Sequence, residues 1–345
     1  MEPPWRVCFF GTDEFALEHL KKLHENQVAG DVKLVKSLDV VIPKSGKCIV
    51  GDYAERWNIR CMQWPIPSMV GTYDVGIVVS FGHLIPRSVI DSFPFGILNI
   101  HPSILPRWRG ASPIIHTILN GDRETGISVM EIRPIHFDVG PLLLQSRFVI
   151  PDDCSTFQLR DYLSVEGSHM MMHALRDLPR LEKMEYEQNE SGVTYAHKLS
   201  PVNARINWEE QSLTDIDRQY RALNEIYQLR SMWNKQKVKL LDMVPYPSIL
   251  DSLEETFPED EMTLRPGSAH YLKSHDILCI RCRDAWVGFG GIILKKPLSA
   301  KSFYNGYLSK YHLRSMTFDS MENALDKYTF RTTVSKSSLK TRAWV

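Results

Sequence analysis

The sequence predicts an α/β protein: a doubly wound, mostly parallel sheet flanked by helices, followed by a smaller β-barrel domain. Three observations predict it. Apolar runs of strand length alternate with helical stretches over the first half. A long helical segment closes that half near Leu178. Beyond a polar break at residues 185–192 the pattern turns to short strands separated by turns.

The chain opens with Arg6-Val7-Cys8-Phe9-Phe10-Gly11-Thr12-Asp13-Glu14-Phe15, a buried strand, a tight glycine turn and a helix from Glu14 to His24. No Gly-x-Gly-x-x-Gly follows this strand, which disfavours a nicotinamide cofactor, because close approach of a pyrophosphate needs those extra glycines. Further apolar strands are expected at Val32–Val35, Val75–Ser80 and Gly96–Ile100, with more alternating ones at Ile127–Ile132 and Gln145–Ile150. A helix from Ser155 to Leu178, capped by Ser155 or Thr156, ends a first domain of residues 1–184. Residues 185–200 read as a linker and 201–310 as the second domain. In the latter a helix is expected over Leu213–Leu223, with Ile216, Tyr220 and Leu223 on one face. Strands are expected at Gln236–Asp242, Ile277–Arg281, Trp286–Phe289 and Ile292–Leu294. Residues 311–345 form a tail with only basic charges after Asp326.

Composition sets limits on function. The 345 residues suit two domains of ordinary size, and 43% hydrophobic residues suffice for real cores. No run approaches the roughly 18–20 apolar residues of a membrane span. None has the layout of a secretory signal, and Met1 to Trp5 is too little for an Arg-rich transit peptide. Cysteines at 8, 48, 61, 154, 279 and 282 argue against a disulfide scaffold and for a reducing compartment. Cys279-Ile280-Arg281-Cys282 is expected to be a strand with incidental thiols, with no metal. The 41 basic and 41 acidic residues balance, so nothing global marks a nucleic-acid binder. Locally, Lys235, Lys237 and Lys239 alternate along one strand and Lys295 and Lys296 lie beside another, stripes that suit either phosphate contact or a solvated face. The acidic segment Glu254 to Glu261 reads as a surface loop insertion.

Chemistry concentrates in Asn99-Ile100-His101-Pro102-Ser103-Ile104-Leu105-Pro106-Arg107-Trp108-Arg109-Gly110 and in Phe137-Asp138-Val139-Gly140-Pro141. Asn99 and His101 stand at i and i+2 on an extended segment, so both side chains point to one face. Pro102 stops regular pairing, placing them at a strand's carboxyl end, the edge where open α/β sheets bind ligands. An Asn N–H and a protonated His could each donate to an oxygen that turns negative when a carbonyl is attacked, one such donor being worth roughly 3–4 kcal/mol of barrier. Asp138, if close, would hold the imidazolium form; in Phe-Asp-Val-Gly-Pro it could equally be a turn-former. The loop is rigid with prolines, and its arginines suit carboxylate or phosphate partners or open solvent.

These segments, with Val78-Val79-Ser80-Phe81-Gly82-His83-Leu84-Ile85-Pro86, resemble the folate-dependent formyltransferase family. Its pattern is a strand ending in Asn-x-His-Pro-Ser, then Leu-Leu-Pro-Arg-Tyr-Arg-Gly, then Asp-x-Gly; Ile104 and Trp108 are conservative departures. Among its branches the chain is most similar to the one that formylates methionyl-tRNA, and within that to animal mitochondrial members. The resemblance covers most of positions 5 to 310, including Thr194–Ser200, Ala204–Trp208 and Ser302–Leu308. It implies a Rossmann-like first domain and an oligonucleotide-fold-like barrel. It further implies 10-formyltetrahydrofolate as co-substrate with no metal, charged initiator methionyl-tRNA as acceptor, a monomer with no membrane partner, and a place in mitochondrial-matrix translation initiation. Asn99, His101 and Asp138 match the catalytic trio. Phe81, Gly82, His83, Leu84 and Ile85 match the loop lining the pteridine pocket, Ser103, Ile104, Leu105 and Pro106 the folate-contacting segment, and Val139 and Gly140 the facing wall. Bacterial members carry a long basic loop whose counterpart here, residues 37–47, is shorter and less basic. Candidates for tRNA contact are Lys44, Lys47, Arg107, Arg109, Lys235, Lys237, Lys239, Lys295 and Lys296. Other readings left open are another folate-dependent formyltransferase, a formylfolate hydrolase, and an inactive RNA-binding homologue.

Overall fold

A computed structural model describes residues 1–134, 136–244, 264–310 and 317–321. The acidic segment 254–261 and all of the basic tail except 317–321 lie outside the described residues. The chain forms two compact units, one of Met1–Leu199 with Asp217–Asn224, the other of Ser200–Ile216 with the chain from Glu225.

In the first unit the strands are β1 (Trp5–Gly11), β2 (Val35–Ile42), β3 (Cys61–Gln63), β4 (Val75–Val79), β5 (Ile97–His101), β6 (Glu124–Glu131) and β7 (Leu142–Val149). They form one sheet in the order β3-β2-β1-β4-β5-β6-β7. The first five are parallel and the last two antiparallel, so the doubly wound half carries an antiparallel edge. Strands β1 and β4 are apolar almost throughout because helices cover both faces, and a solvent-facing alternation has no place there. The helices are α1 (Glu14–Ala29), α2 (Ile49–Arg56), α3 (Arg87–Ile90), α4 (Pro113–Asn120), α5 (Thr156–Arg176) and α6 (Leu178–Leu181). Asp13 caps α1 by accepting from the Ala16 amide at 3.0 Å, and α5 starts in a reciprocal capping box of Ser155 and Gln158.

The first unit departs from expectation in three segments, of which the strand expected from Gln145 begins three residues earlier, at Leu142. The second strand begins, rather than ends, at Val35: Val32 is exposed, whereas Leu38, Val40, Val41 and Ile42 pack into the core. Residues 37–42, read as part of a loop, are therefore central strand, and only a short turn separates β2 from α2. Residues 185–200, expected as a linker, are fastened as well, since Tyr186, Gln188, Thr194 and Ala196 bond to the body of the first unit. Polar side chains there satisfy buried backbone groups, which composition alone cannot distinguish from solvation.

The second unit holds the expected helix α7 (Leu213–Leu223) at its predicted bounds, although Asp217 onward groups with the first unit. Its antiparallel sheet has β8 (Arg230–Trp233), β9 (Gln236–Val244), β10 (Ala269–Leu272), β11 (Ile277–Arg281), β12 (Trp286–Ile293), β13 (Pro297–Ser299) and β14 (Phe318–Asp319). The order is β10-β11-β12-β9-β8-β14, with β13 also on β12. The two strands expected over 286–294 are one: Gly291 pairs with Leu241 and Ser299, so the ladder runs on past the glycines. Cys279 lies inside the core strand β11, and burial pushes its thiol up to about 12, leaving it protonated.

Candidate active site

Strands β1, β4 and β5 run parallel, so their carboxyl ends meet at one edge. A cavity of about 410 Å³ opens there. Thr12 and Asp13 follow β1, residues 80–85 follow β4, and Asn99 to Pro102 close β5; Arg133 and residues 136–138 form the opposite wall. The expected contacts Phe81, Gly82, His83, Leu84 and Ile85 all line it. Phe81 and Ile85 are also core residues, 4% and 3% exposed, so they shape the cavity from beneath, while Leu84 stands half out at the rim.

Asn99, His101 and Asp138 come together in the wall. Asn99 Nδ2 donates to Asp138 Oδ1 at 3.0 Å, and the Gly110 amide donates to Asp138 Oδ2 at 2.8 Å. His101 Nδ1 faces Asp138 Oδ1 at 3.6 Å, too long for a hydrogen bond in this state. The other ring nitrogen, Nε2, lies 3.0 Å from the Trp108 carbonyl. A carbonyl only accepts, so Nε2 carries a hydrogen and the ring orientation is set. Asp138 adopts φ 57°, a left-handed backbone that Asp tolerates better than most residues. Gly140 two residues on has no alternative: a Cβ there would stand 1.8 Å from the Glu131 carbonyl oxygen.

The loop after β5 is fastened from below. Ser128, paired with His101 across β5 and β6, donates through Oγ to the Ser103 carbonyl and accepts from the Leu105 amide; Gln145 adds a bond to the Leu105 carbonyl. Ser103 and Leu105 are consequently buried, and Ser103, Ile104, Leu105 and Pro106 do not line the cavity; nor do Val139 and Gly140. Ser103 and Leu105 brace the loop beneath the wall, and Gly140 packs on the Glu131 carbonyl of β6. Arg107 is held by Asp122 at 2.7 and 2.9 Å and lies 4.5 Å over the Trp108 ring, and Arg109 is buried against Gln188. Both guanidiniums, expected to meet carboxylates, phosphates or open solvent, have internal partners.

Sequence reasoning missed Thr12, Asp13, Arg133 and His136. The Gly11-Thr12-Asp13 turn could have been found, since the first βα turn of a parallel sheet must share the carboxyl edge with Asn99. Burial pushes the Asp13 carboxyl up, with the Ala16 amide opposing. Of the basic candidates, Lys44 and Lys47 are exposed in the turn after β2, and Lys295 and Lys296 in the turn after β12. Lys235 forms the turn of the β8–β9 hairpin, with Asn234 and Lys235 both at positive φ. Within the second unit Lys237 and Lys239 join Arg205 and Arg230 around a cavity of about 170 Å³.

Comparison with known proteins bears on this arrangement. A family profile described as formyl transferase matches residues 70–175, and one described as formyl transferase, C-terminal domain, matches residues 198–308. The mitochondrial methionyl-tRNA formyltransferase of Homo sapiens is 41% identical over 320 residues, covering 91% of this chain and 80% of that protein. That of Mus musculus is 41% identical over 318 residues, covering 91% and 81%. Among solved structures, the sugar 3N-formyl transferase WlaRD superposes with a TM-score of 0.58 at 17% identity, covering 83% of this chain and 97% of that one. HypX from Aquifex aeolicus, in complex with tetrahydrofolic acid, does so at 0.56 and 18%, covering 89% and 48%. The latter two share the fold. With sequence likeness of this extent across both units, the chain belongs to the formyl transferase family.

Proposed function

We propose that this protein transfers the formyl group of 10-formyltetrahydrofolate to the α-amine of charged initiator methionyl-tRNA, as a monomer of the mitochondrial matrix, for translation initiation. The observation that carries the reading is the meeting of Asn99, His101 and Asp138 at one cavity wall. Its relatives named mitochondrial methionyl-tRNA formyltransferase support the choice of acceptor and compartment.

The cavity suits the co-substrate's flat heterocycle. Its volume falls in the range of about 300–1,000 Å³ usual for small-molecule sites. Phe81, Ile85, Met130 and Ile132 offer apolar walls beside the open backbone of residues 82–84. The folate supplies the formyl carbonyl. Asn99 has two hydrogens on Nδ2 and commits one to Asp138, so the second is available to the formyl oxygen as it gains charge. Asp138, oriented by Asn99 and the Gly110 amide, takes the proton that the attacking amine releases. His101, fixed through the Trp108 carbonyl, presents Nδ1 to the same carboxylate and relays that proton towards the departing N10 nitrogen. No covalent bond to the protein is required. Exposed Lys44, Lys47, Lys235, Lys237, Lys295 and Lys296, with Lys239, offer phosphate contacts; Arg107 and Arg109 serve the loop instead.

A formylation assay with charged initiator tRNA and 10-formyltetrahydrofolate, with glycinamide ribonucleotide as competing acceptor, tests the reading. Formyl-methionyl-tRNA is the expected product. Preferred formylation of the ribonucleotide, or formate release indifferent to methionyl-tRNA, would overturn it.

A further inference from the structure

The stretch 185–197 contains no group of the trio, yet it bonds both to the turn that carries Asp138 and to the loop whose Gly110 amide holds the Asp138 carboxylate. At one end Tyr186 and Leu142 exchange backbone hydrogen bonds of 2.8 and 3.1 Å just past the Asp138 turn. At the other, Thr194 Oγ1 accepts from the Trp108 amide at 2.9 Å, and the Arg109 amide donates to the Thr194 carbonyl at 2.9 Å. Between these anchors Gln188 is 7% exposed and uses both ends of its amide. Its Oε1 accepts from Arg109 Nε at 3.1 Å and Nη2 at 2.8 Å, and Arg109 is itself 6% exposed. Its Nε2 donates to the Asp138 and Gly140 carbonyls, each at 2.9 Å. The amide has one workable orientation, because the reverse would set N–H against guanidinium N–H and carbonyl against carbonyl.

One side chain therefore ties the loop bearing Gly110 to the turn bearing Asp138. Those two segments meet again inside the site, where the Gly110 amide donates to Asp138 Oδ2. The turn needs holding, since Asp138 sits at φ 57° and its carbonyl and that of Gly140 face the protein interior rather than a strand partner. Arg109 fixes Gln188 by a forked pair of N–H donors, which restricts rotation as a single bond would not.

We propose that Gln188 is a positioning residue for formyl transfer: it locks the Asp138 turn to Arg109 and thereby sets the Asp138 carboxylate between Asn99 and the Gly110 amide. The inference rests on the formyl-transfer reading above. Gln188→Glu is the informative variant, keeping side-chain length and the acceptor for Arg109 while replacing the two donors with an oxygen that faces two carbonyls. With methionyl-tRNA and 10-formyltetrahydrofolate, kcat is expected to fall about tenfold to a hundredfold, the scale of a small misplacement at a reacting centre. KM for each substrate is expected to stay within about twofold, since Gln188 itself does not line the cavity and no lining side chain is replaced. Amide hydrogen exchange should quicken in peptides covering 108–112 and 136–142 and stay unchanged over Glu14–Ala29. Arg109→Lys, which keeps the charge and loses the fork, should move the same readouts in the same direction. Unchanged exchange at 136–142, or a KM rise with wild-type kcat, overturns the proposal. Exchange needs no turnover: a wild-type protein that fails to formylate methionyl-tRNA would sink the functional reading, and the exchange comparison would still decide this one.

Discussion

Replacing Asp138 with Asn should do more damage than the loss of one charge. Asn fits the φ 57° backbone nearly as well as Asp, so strain adds little. The carboxylate accepts from two donors, Asn99 Nδ2 at 3.0 Å and the Gly110 amide at 2.8 Å. An amide has one accepting oxygen, so either orientation sets its NH2 against a donor. The Gly110 N–H cannot turn round, whereas the Asn99 side chain can flip and present its oxygen. That repair restores the hydrogen bond and removes the Asn99 N–H aimed at the formyl oxygen. Loss of such a donor costs about 10²–10³ in kcat. Loss of the proton acceptor costs a further 10²–10⁴ or so. Asp138→Asn is therefore expected to lower kcat by about ten-thousandfold or more. Stability should drop by only about 1–3 kcal/mol for the charge-assisted bonds replaced by neutral ones. Single-turnover formylation of charged initiator tRNA, beside thermal unfolding, measures both. Retention of more than about a tenth of the wild-type rate would refute the geometry argued here.

Gly140→Ala puts a methyl 1.8 Å from the Glu131 carbonyl oxygen and should push the Asp138 turn away, costing about 1–3 kcal/mol and most of the activity; wild-type turnover in this variant would contradict the packing. His19 is wholly buried, and burial lowers its pKa to about 4 while Nδ1 donates to the Phe15 carbonyl. The unfolded chain then binds the extra proton between pH 6.5 and 4, so stability falls across that window on acidification by roughly 3 kcal/mol. A His19→Leu variant should flatten that slope in melting temperature against pH. Burial raises Glu131 to about 7, with Arg133 opposing and Glu185 reinforcing. Here the folded pKa lies above the unfolded one, so its contribution is full below about 4.5 and is lost as pH rises to 7. Glu131→Gln should gain melting temperature relative to wild type at pH 8 and not at pH 4.

Legibility of the fold followed burial. Strands covered on both faces, such as β1, β4 and β5, must be apolar along their length, and their runs stand out in the sequence to within a residue or so. Helix α7 was equally plain, with Ile216 and Leu223 wholly buried on its periodic face. Strand β2 departs from the sequence pattern for a different reason. Its Lys36, Ser37 and Asp39 interrupt the apolar run, and likeness to a bacterial loop outweighed Val40-Val41-Ile42, the part that packs beside β1. Where local pattern and family correspondence disagree over a short run, packing against an already secure neighbour is the better guide.

At the site, spacing made Asn99 and His101 visible together, because i and i+2 on a strand share a face whatever the tertiary fold. Asp138 lies 39 residues from Asn99, and only the family motif linked them. Gln188 had neither aid: a lone amide in a polar stretch carries no periodicity, and its partners become its partners only once two distant loops approach. The arginines show the same limit in reverse. Charge and a rigid loop leave Arg107 and Arg109 open to ligand anions or to solvent, yet Asp122 and Gln188 engage them internally. A loop with a non-glycine residue at positive φ, as at Trp108, needs anchors of its own. Strong directional donors supply them, so in a catalytic loop the residues best suited to hold a substrate anion are also those best suited to hold the loop. Charge alone cannot separate the two uses; a nearby acceptor can. By that criterion Asp122 claims Arg107 and Gln188 claims Arg109, and of the two it is Arg109 that reaches the Asp138 backbone, through the Gln188 amide.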